Sequence, residues 1–206
     1  MRLLRGAGTE GLSAMRRREE RNGRVLLRPM LDISGSELRQ ALTEAGISWR
    51  EDDSNRDTAY LRNRIRRELM PELEEIAPGA AGRIARTAEI IAREDDAASA
   101  RADALLRELE GPGGLNAEGL RKEPQAMRIR VLRAWWREQG PTLAERELSY
   151  EQTLRLEGLL DAPRGTIINL PAGWRARREK ECLRLMDPTD KTKNNRPERA
   201  ERKKHD

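Results

Sequence analysis

The chain has 206 residues, 41 of them Lys or Arg and 36 Asp or Glu, for a net charge of +5 and a pI near 9.8. One cysteine, Cys182, and one histidine, His205, exclude a Cys/His zinc site, a disulfide framework and Cys/His or Ser/His nucleophilic machinery built from this chain alone. No apolar run approaches the roughly 18 residues of a membrane span and Met1–Gly6 lacks a signal-peptide stretch, so the expected setting is a reducing cytoplasm without membrane contact. Of the 41 basic residues 35 are arginines, whose planar fork grips phosphate bidentately and stacks on bases, so polyanions are the expected partners.

The first 30 residues carry eight arginines against three glutamates. Gly6, Gly8 and Gly11 punctuate the opening, and the polar Arg16–Gly23 run reads as loop leading to an extended Val25–Leu27 stopped by Pro29. Ser34-Gly-Ser-Glu37 has capping-box spacing, Leu38, Leu42 and Ala45 repeat at helical intervals, and Gly46 can close the helix. Ile47 and Trp49 are expected to return to the core. The polar loop Arg50–Asp57 then leads to a short helix over roughly Thr58–Leu69, ended by Pro71, with Leu61, Ile65 and Leu69 buried. Arg62 and Arg66 lie one turn apart on a neighbouring face of that helix with Asn63 beside them. The plain alternative is a solvated basic face.

Ala80 to about Glu110 reads as a connecting helix with Ile84, Ala88, Ile91, Leu105, Leu106 and Leu109 inward and a break near Asp95-Asp96. Gly111-Pro-Gly-Gly114 reads as a hinge and domain boundary. Beyond it come amphipathic helices over Gln125–Gln139 and Glu145–Leu160, with the Trp135-Trp136 pair read as core before base-stacking platform. Strands follow at Gly165–Leu170, Trp174–Arg178 and Cys182–Met186, and alternation puts Arg175 and Arg177 on the open face. From residue 188 a disordered basic tail is expected, holding +3 of the total charge between Thr189 and Asp206. The fold class is mainly α with a small α+β second domain.

In order along the chain stand Leu3-Leu-Arg-Gly-Ala-Gly-Thr-Glu-Gly-Leu12, Leu27-Arg-Pro-Met-Leu31, Asp52-Asp-Ser-Asn55 and Tyr60-Leu-Arg-Asn-Arg-Ile-Arg66, followed by Pro71. Together these resemble the tRNA(Ile)-lysidine synthases. Arg130-Val-Leu-Arg-Ala-Trp135, Asp161-Ala-Pro163 and Gly173-Trp-Arg-Ala-Arg177 resemble that family's tRNA-recognition domain, so the resemblance covers roughly residues 1–187. It implies residues 1–79 as the C-terminal part of an ATP-pyrophosphatase-type (PP-loop) α/β domain, 80–110 as a connecting helix and 111–187 as a helix-plus-meander recognition domain.

Family members append lysine to C2 of the wobble cytidine in the CAU anticodon of tRNA(Ile). ATP first adenylates the C2 oxygen; the lysine amine then attacks C2 and AMP departs. The resemblance thus implies ATP and Mg2+ as cofactors, and tRNA(Ile) and lysine as partners. Carried over by motif, Arg62 stands at the reaction centre. Arg28, Asn63, Arg66, Arg130, Arg133, Arg175 and Arg177 are the tRNA-binding candidates, and Arg5, Gly6, Gly8 and Gly11 form a loop near the nucleotide. Asp52, Ser54 and Asn55 structure their loop, where Arg66 could instead pair with Asp52 or Glu51.

The family's Ser-Gly-Gly-x-Asp-Ser phosphate loop does not occur among the 206 residues. The expectation is therefore a chain whose catalytic loop would lie upstream of Met1, inactive by itself and binding neither ATP nor Mg2+ tightly. A separately encoded N-terminal half, a decayed gene and an RNA-binding fragment are the alternatives.

Overall fold

A computed structural model of the chain describes residues 1–140 and 147–189 other than Gly6, Ala14 and Asn22. The tail expected from residue 188 falls outside them from residue 190 on. By packing, the chain divides into Met1–Ala97 and a second unit that begins at Ala98. None of its described helices is long and apolar enough to cross a membrane.

In the first unit a 3-10 turn, Leu3–Arg5, precedes α1 (Thr9–Leu12). A Cβ on Gly11 would stand 2.6 Å from Cβ of Ala7, so glycine there permits the close return of the chain. The charged run Arg16–Gly23, predicted as loop, instead holds a strand, β1 (Arg18–Arg21), which pairs antiparallel with β2 (Arg24–Leu27), the segment expected to be extended from Val25 to Leu27; the turn uses Gly23 at φ +68°. Next is α2 (Gly35–Glu44), started by the Ser34/Glu37 capping box. The Ser34 hydroxyl and backbone hold the exposed Glu37 carboxyl below its usual pKa. Gly46 at φ +67° closes the helix.

Pro71 does not end the next helix. Leu61–Arg64 (α3) runs through a π turn, Ile65–Leu69, into α4 (Met70–Ile76), with Pro71 in the first turn of α4. The wide turn, in which Met70 N–H reaches the Ile65 carbonyl, lets a residue without an N–H sit where the hydrogen-bond ladder is already interrupted. Glu74 then takes the backbone N–H groups of Gly79 and Ala81, both at 2.7 Å, at the start of α5 (Ala80–Leu109). Those bonds hold its carboxyl below the ordinary range. This thirty-residue helix has no break at Asp95-Asp96.

Several apolar residues expected inside this unit lie outward: Ile47, Trp49, Leu61, Leu69 and Ile84 are all exposed. Only Ser13, Ala80, Ala92 and Asp95 are fully buried among its described residues. Leu61 and Ile84 keep their helical spacing, whereas Ile47 and Trp49 lie in the irregular stretch after α2. A polar latch ties the opening segment to α5: Thr9 Oγ1 donates to Asp95 Oδ1 at 2.7 Å, and Arg16 Nη1 donates to Asp96 Oδ2 at 2.6 Å and to the Ala92 carbonyl at 3.1 Å.

The second unit has a conventional core. A five-stranded antiparallel sheet runs β3 (Glu110–Gly111), β4 (Gly114–Asn116), β7 (Cys182–Met186), β6 (Arg175–Arg178), β5 (Ile167–Asn169). Against its inner face pack the end of α5, α6 (Ala117–Arg121), α7 (Gln125–Gln139) and α8 (Tyr150–Gly158). Gly111-Pro-Gly-Gly114 is the turn of the β3–β4 hairpin and not a hinge: Gly114, at φ +115°, passes so close to β7 that a Cβ would strike the Leu183 carbonyl. Helix α7 has the expected bounds, and α8 starts at a capping box of Ser149 and Gln152. Residues 145 and 146 of the helix expected there lie outside the described residues. Trp135 and Trp136 are core residues; Trp135 Nε1 donates to Glu110 Oε1 at 3.1 Å, and Trp136 meets Trp174 edge to face at 5.8 Å.

Candidate functional site

The tRNA-binding and reaction-centre candidates of the first unit gather around α3 and the loop before it. Asp52 caps a 3-10 turn over Asp53–Arg56, its Oδ1 accepting from Ser54 N at 2.9 Å. That bond lowers the carboxyl pKa. Asn63, on α3, closes the same loop: its amide nitrogen donates to the carbonyls of Ser54 and Asp57, each at 2.8 Å. Its donors therefore serve the loop, and only Oδ1 is left to face a ligand.

Arg62 and Arg66 are both exposed, and among the described residues neither makes an ion pair or a side-chain hydrogen bond. The loop-pinning pair of Arg66 with Asp52 or Glu51 is not formed. Arg62 lies in α3 and Arg66 in the π turn that follows it. Arg66 lines a groove of about 450 Å³ together with Arg39, Arg50, Arg67, Trp49 and Asn55; Arg62 lies outside it.

Of the other candidates in this unit, Arg28 is half-buried. Arg28 Nη1 donates to the Arg16 carbonyl and pairs with Glu19 Oε2, both at 2.9 Å, clamping the base of the β1–β2 hairpin. Gly8 precedes α1 as its N-cap, while Arg5 ends the 3-10 turn. Gly6 lies outside the described residues.

In the second unit the strand register decides which arginines stand together. Direct partners across antiparallel strands project from the same face. Ile167 pairs with Arg177, Asn169 with Arg175, and Arg177 with Arg184. Arg175, Arg177 and Arg184 therefore share the outer face, opposite the buried Ala176 and Leu183. Arg177 Nε lies 3.4 Å from Glu179 Oε1, whereas Arg175 and Arg184 have no such partner among the described residues. Arg178, on the inner face, is buried and pairs with Glu118 at 3.2 Å.

Arg130 and Arg133 are half-buried on α7, and Arg130 Nη1 reaches Ser99 Oγ at 3.3 Å. They do not join the sheet arginines on that outer face, which the strands alone form. Sequence reasoning missed Arg184, although the alternation of Cys182–Met186 carried it. It also missed Arg39, Arg50 and Arg67, and placed Trp49 in the core.

With this geometry in place, comparison with known proteins adds a decisive observation. Residues 1–73 match the family model of a PP-loop domain, and residues 115–184 match that of the TilS substrate binding domain. A tRNA(Ile)-lysidine synthase of Salinispora tropica is 38% identical over 189 residues, which is 90% of this chain and 56% of that protein. The chain belongs to the tRNA(Ile)-lysidine synthase family. The synthase of Geobacter sulfurreducens is 43% identical over 139 residues, 65% of this chain and 29% of the relative. That of Thermobifida fusca is 36% identical over 181 residues, 86% and 54% of the two chains. The chain thus spans about half the length, or less, of the family members it matches. The PP-loop match falls within the first unit, which holds the groove, and the substrate-binding match within the second, which holds the sheet arginines.

Proposed function

We propose that this chain is part of a cytoplasmic enzyme that ligates lysine to C2 of the wobble cytidine of a CAU-anticodon tRNA(Ile) at the expense of ATP. The observation that supports it most is the succession of the two family matches in one chain, each over a unit that carries exposed arginines. In this reading Arg62 holds a phosphate or the activated cytidine, since a guanidinium offsets the negative charge on the phosphoryl oxygens as the C2 oxygen is adenylated. Arg175, Arg177 and Arg184 hold the tRNA backbone, as guanidinium forks do for phosphates. Arg28 and Asn63 position their segments and do not touch RNA through the groups already engaged in the fold.

ATP and Mg2+ belong to the family's reaction. Among the described residues no three carboxylate, histidine or cysteine side chains come together, and a site for Mg2+ would draw on one or two carboxylates together with the ATP phosphates. The chain by itself then acts as the RNA-holding part, and a complementary polypeptide segment supplies the phosphate loop. A non-catalytic RNA-binding chain is the second reading, favoured by the lack of any Gly-Gly-x-Asp among the 206 residues.

Filter binding of the whole chain to a tRNA(Ile) transcript at 50 and 200 mM salt tests the RNA part. With about four phosphates neutralised, affinity should fall on the order of a hundredfold between the two conditions. Absent or salt-independent binding removes the proposal.

A further inference from the structure

The latch between the opening segment and α5 is made of polar groups in a unit that buries little else. Asp95 is 4% exposed; its Oδ1 accepts the Thr9 hydroxyl at 2.7 Å, and its Oδ2 lies 3.9 Å from Arg16 Nη2. Arg16 also reaches Asp96 and the Ala92 carbonyl. Of the four residues buried among the described ones up to Ala97, Ser13 belongs to the opening segment and Ala92 and Asp95 to the stretch of α5 that Arg16 and Thr9 grip. A buried, paired carboxylate adds little net stability, because desolvation offsets its attraction. What it can add is a single placement for the segment it holds.

That segment needs an anchor. Helix α1 is a single turn, too short to persist alone in water. Leu12 N–H donates to the Gly8 carbonyl and Ser13 N–H to the Thr9 carbonyl, both at 2.9 Å, so the residue that Asp95 grips is itself part of the turn. From Arg16 the contacts run on into the hairpin: its carbonyl accepts from Arg28 Nη1 at 2.9 Å, and Arg28 N–H donates to the Arg17 carbonyl at 2.8 Å. Thr9, Arg16 and Arg28 all lie in the stretch matched by the PP-loop model, whereas Asp95 and Asp96 lie in neither matched stretch.

We infer that Asp95 is a positioning residue, which through Thr9 and Arg16 fixes the opening segment and the base of the β1–β2 hairpin in the placement that turnover requires. Being buried, Asp95 acts only through these partners. A displacement on the order of an ångström, caused far from the chemistry, can cost on the order of a hundredfold in rate, so the loss of such an anchor is felt in kcat. The effect on turnover rests on the proposed ligation; the anchoring rests on the contacts alone.

Hydrogen exchange, resolved at single amides, compares the whole chain with Thr9→Val, Thr9→Ser, Asp95→Leu and Glu89→Gln. The Leu12 and Ser13 amides should exchange about tenfold or more faster in Thr9→Val and Asp95→Leu. Thr9→Ser keeps the hydroxyl and should exchange like the wild type, as should Glu89→Gln, which breaks only the exposed pair with Arg93 on the same helix. Each variant is then placed in a fusion in which this chain replaces the matching part of the Salinispora tropica synthase, and lysidine formation is followed at varied tRNA concentration. The kcat should fall about tenfold or more in Thr9→Val and Asp95→Leu and recover in Thr9→Ser, while the KM for tRNA stays within about twofold because the sheet arginines of the second unit are untouched.

Wild-type exchange of Leu12 and Ser13 in both Thr9→Val and Asp95→Leu overturns the anchoring. Faster exchange with a wild-type kcat overturns the role in turnover, and so do equal losses in kcat and in tRNA affinity, which mark a general loss of structure. A wild-type fusion that folds and forms no lysidine refutes the proposed ligation and the role in turnover with it, while the exchange rates still decide the anchoring.

Discussion

The triple variant Arg175→Gln/Arg177→Gln/Arg184→Gln should bind tRNA on the order of a hundredfold to a thousandfold more weakly than the wild-type chain at low salt. A hydrogen bond to a charged partner contributes about 1.5 kcal/mol or more, which is about tenfold per arginine engaged. The logarithmic slope of affinity against salt should also become shallower by about 2 to 3 units, because each phosphate neutralised accounts for about 0.7 to 0.9. Filter binding across a salt series reads both. The register sets the order of the single variants. Arg177 already lies beside Glu179, so Arg177→Gln removes the least, while Arg175→Gln and Arg184→Gln remove more. Arg178→Gln is not a fair comparison, since that side chain is buried with Glu118 and the loss would fall on stability. Unchanged affinity and slope in the triple variant would show that this sheet face does not meet RNA.

Trp135→Ala should destabilise the second unit by about 3 to 5 kcal/mol, a large part of the roughly 5 to 15 kcal/mol that holds a domain together. Its ring is 2% exposed among Leu106, Leu132 and Leu156, and its indole N–H bonds Glu110. Truncation leaves a cavity and removes one donor to Glu110 Oε1, with Gln139 Nε2 remaining at 3.0 Å. Urea unfolding of the chain should show a much lower midpoint for this unit. Trp49→Ala is the internal contrast: that ring is exposed, and the expected change is within about 0.5 kcal/mol. Equal losses in the two variants would contradict the assignment of one tryptophan to the core and the other to the exposed surface.

The second unit was largely legible in the sequence. The periodicity of Met127, Val131, Leu132 and Trp135 specifies α7 to its ends, and alternation around Arg175 and Cys182 specifies β6 and β7. The first unit was less so, for identifiable reasons. Asn22-Gly23 is a strong hairpin signal, but the all-charged Arg18–Arg21 shows none of the apolar alternation that would mark β1 as a strand. Gly111-Pro-Gly-Gly114 marks a turn, and only the pairing of its flanks tells a hairpin from a hinge. Pro71 is tolerated because a π turn precedes it, a local departure that residue propensities do not encode. Ile47, Leu61 and Ile84 show that an apolar pattern names a face without saying what covers it.

The same division runs through the candidate site. Arg62, Asn63 and Arg66 are visible as a motif, yet only the fold shows that Asn63 holds the loop, that Arg66 enters the groove and that Arg62 does not. Arg39 is 27 positions away from Arg66 in sequence, and only the fold brings both side chains near Gly35.

The proposed activity is tested most directly by grafting. The 189 residues of this chain that align with the Salinispora tropica synthase replace their counterpart in that protein, and lysidine formation is measured on a CAU-anticodon tRNA(Ile) with ATP and lysine. The graft should form lysidine, and Arg62→Ala within it should abolish the product without changing the circular dichroism. A graft that folds and binds tRNA but forms no lysidine, or an Arg62→Ala graft that turns over like its parent, would contradict the account.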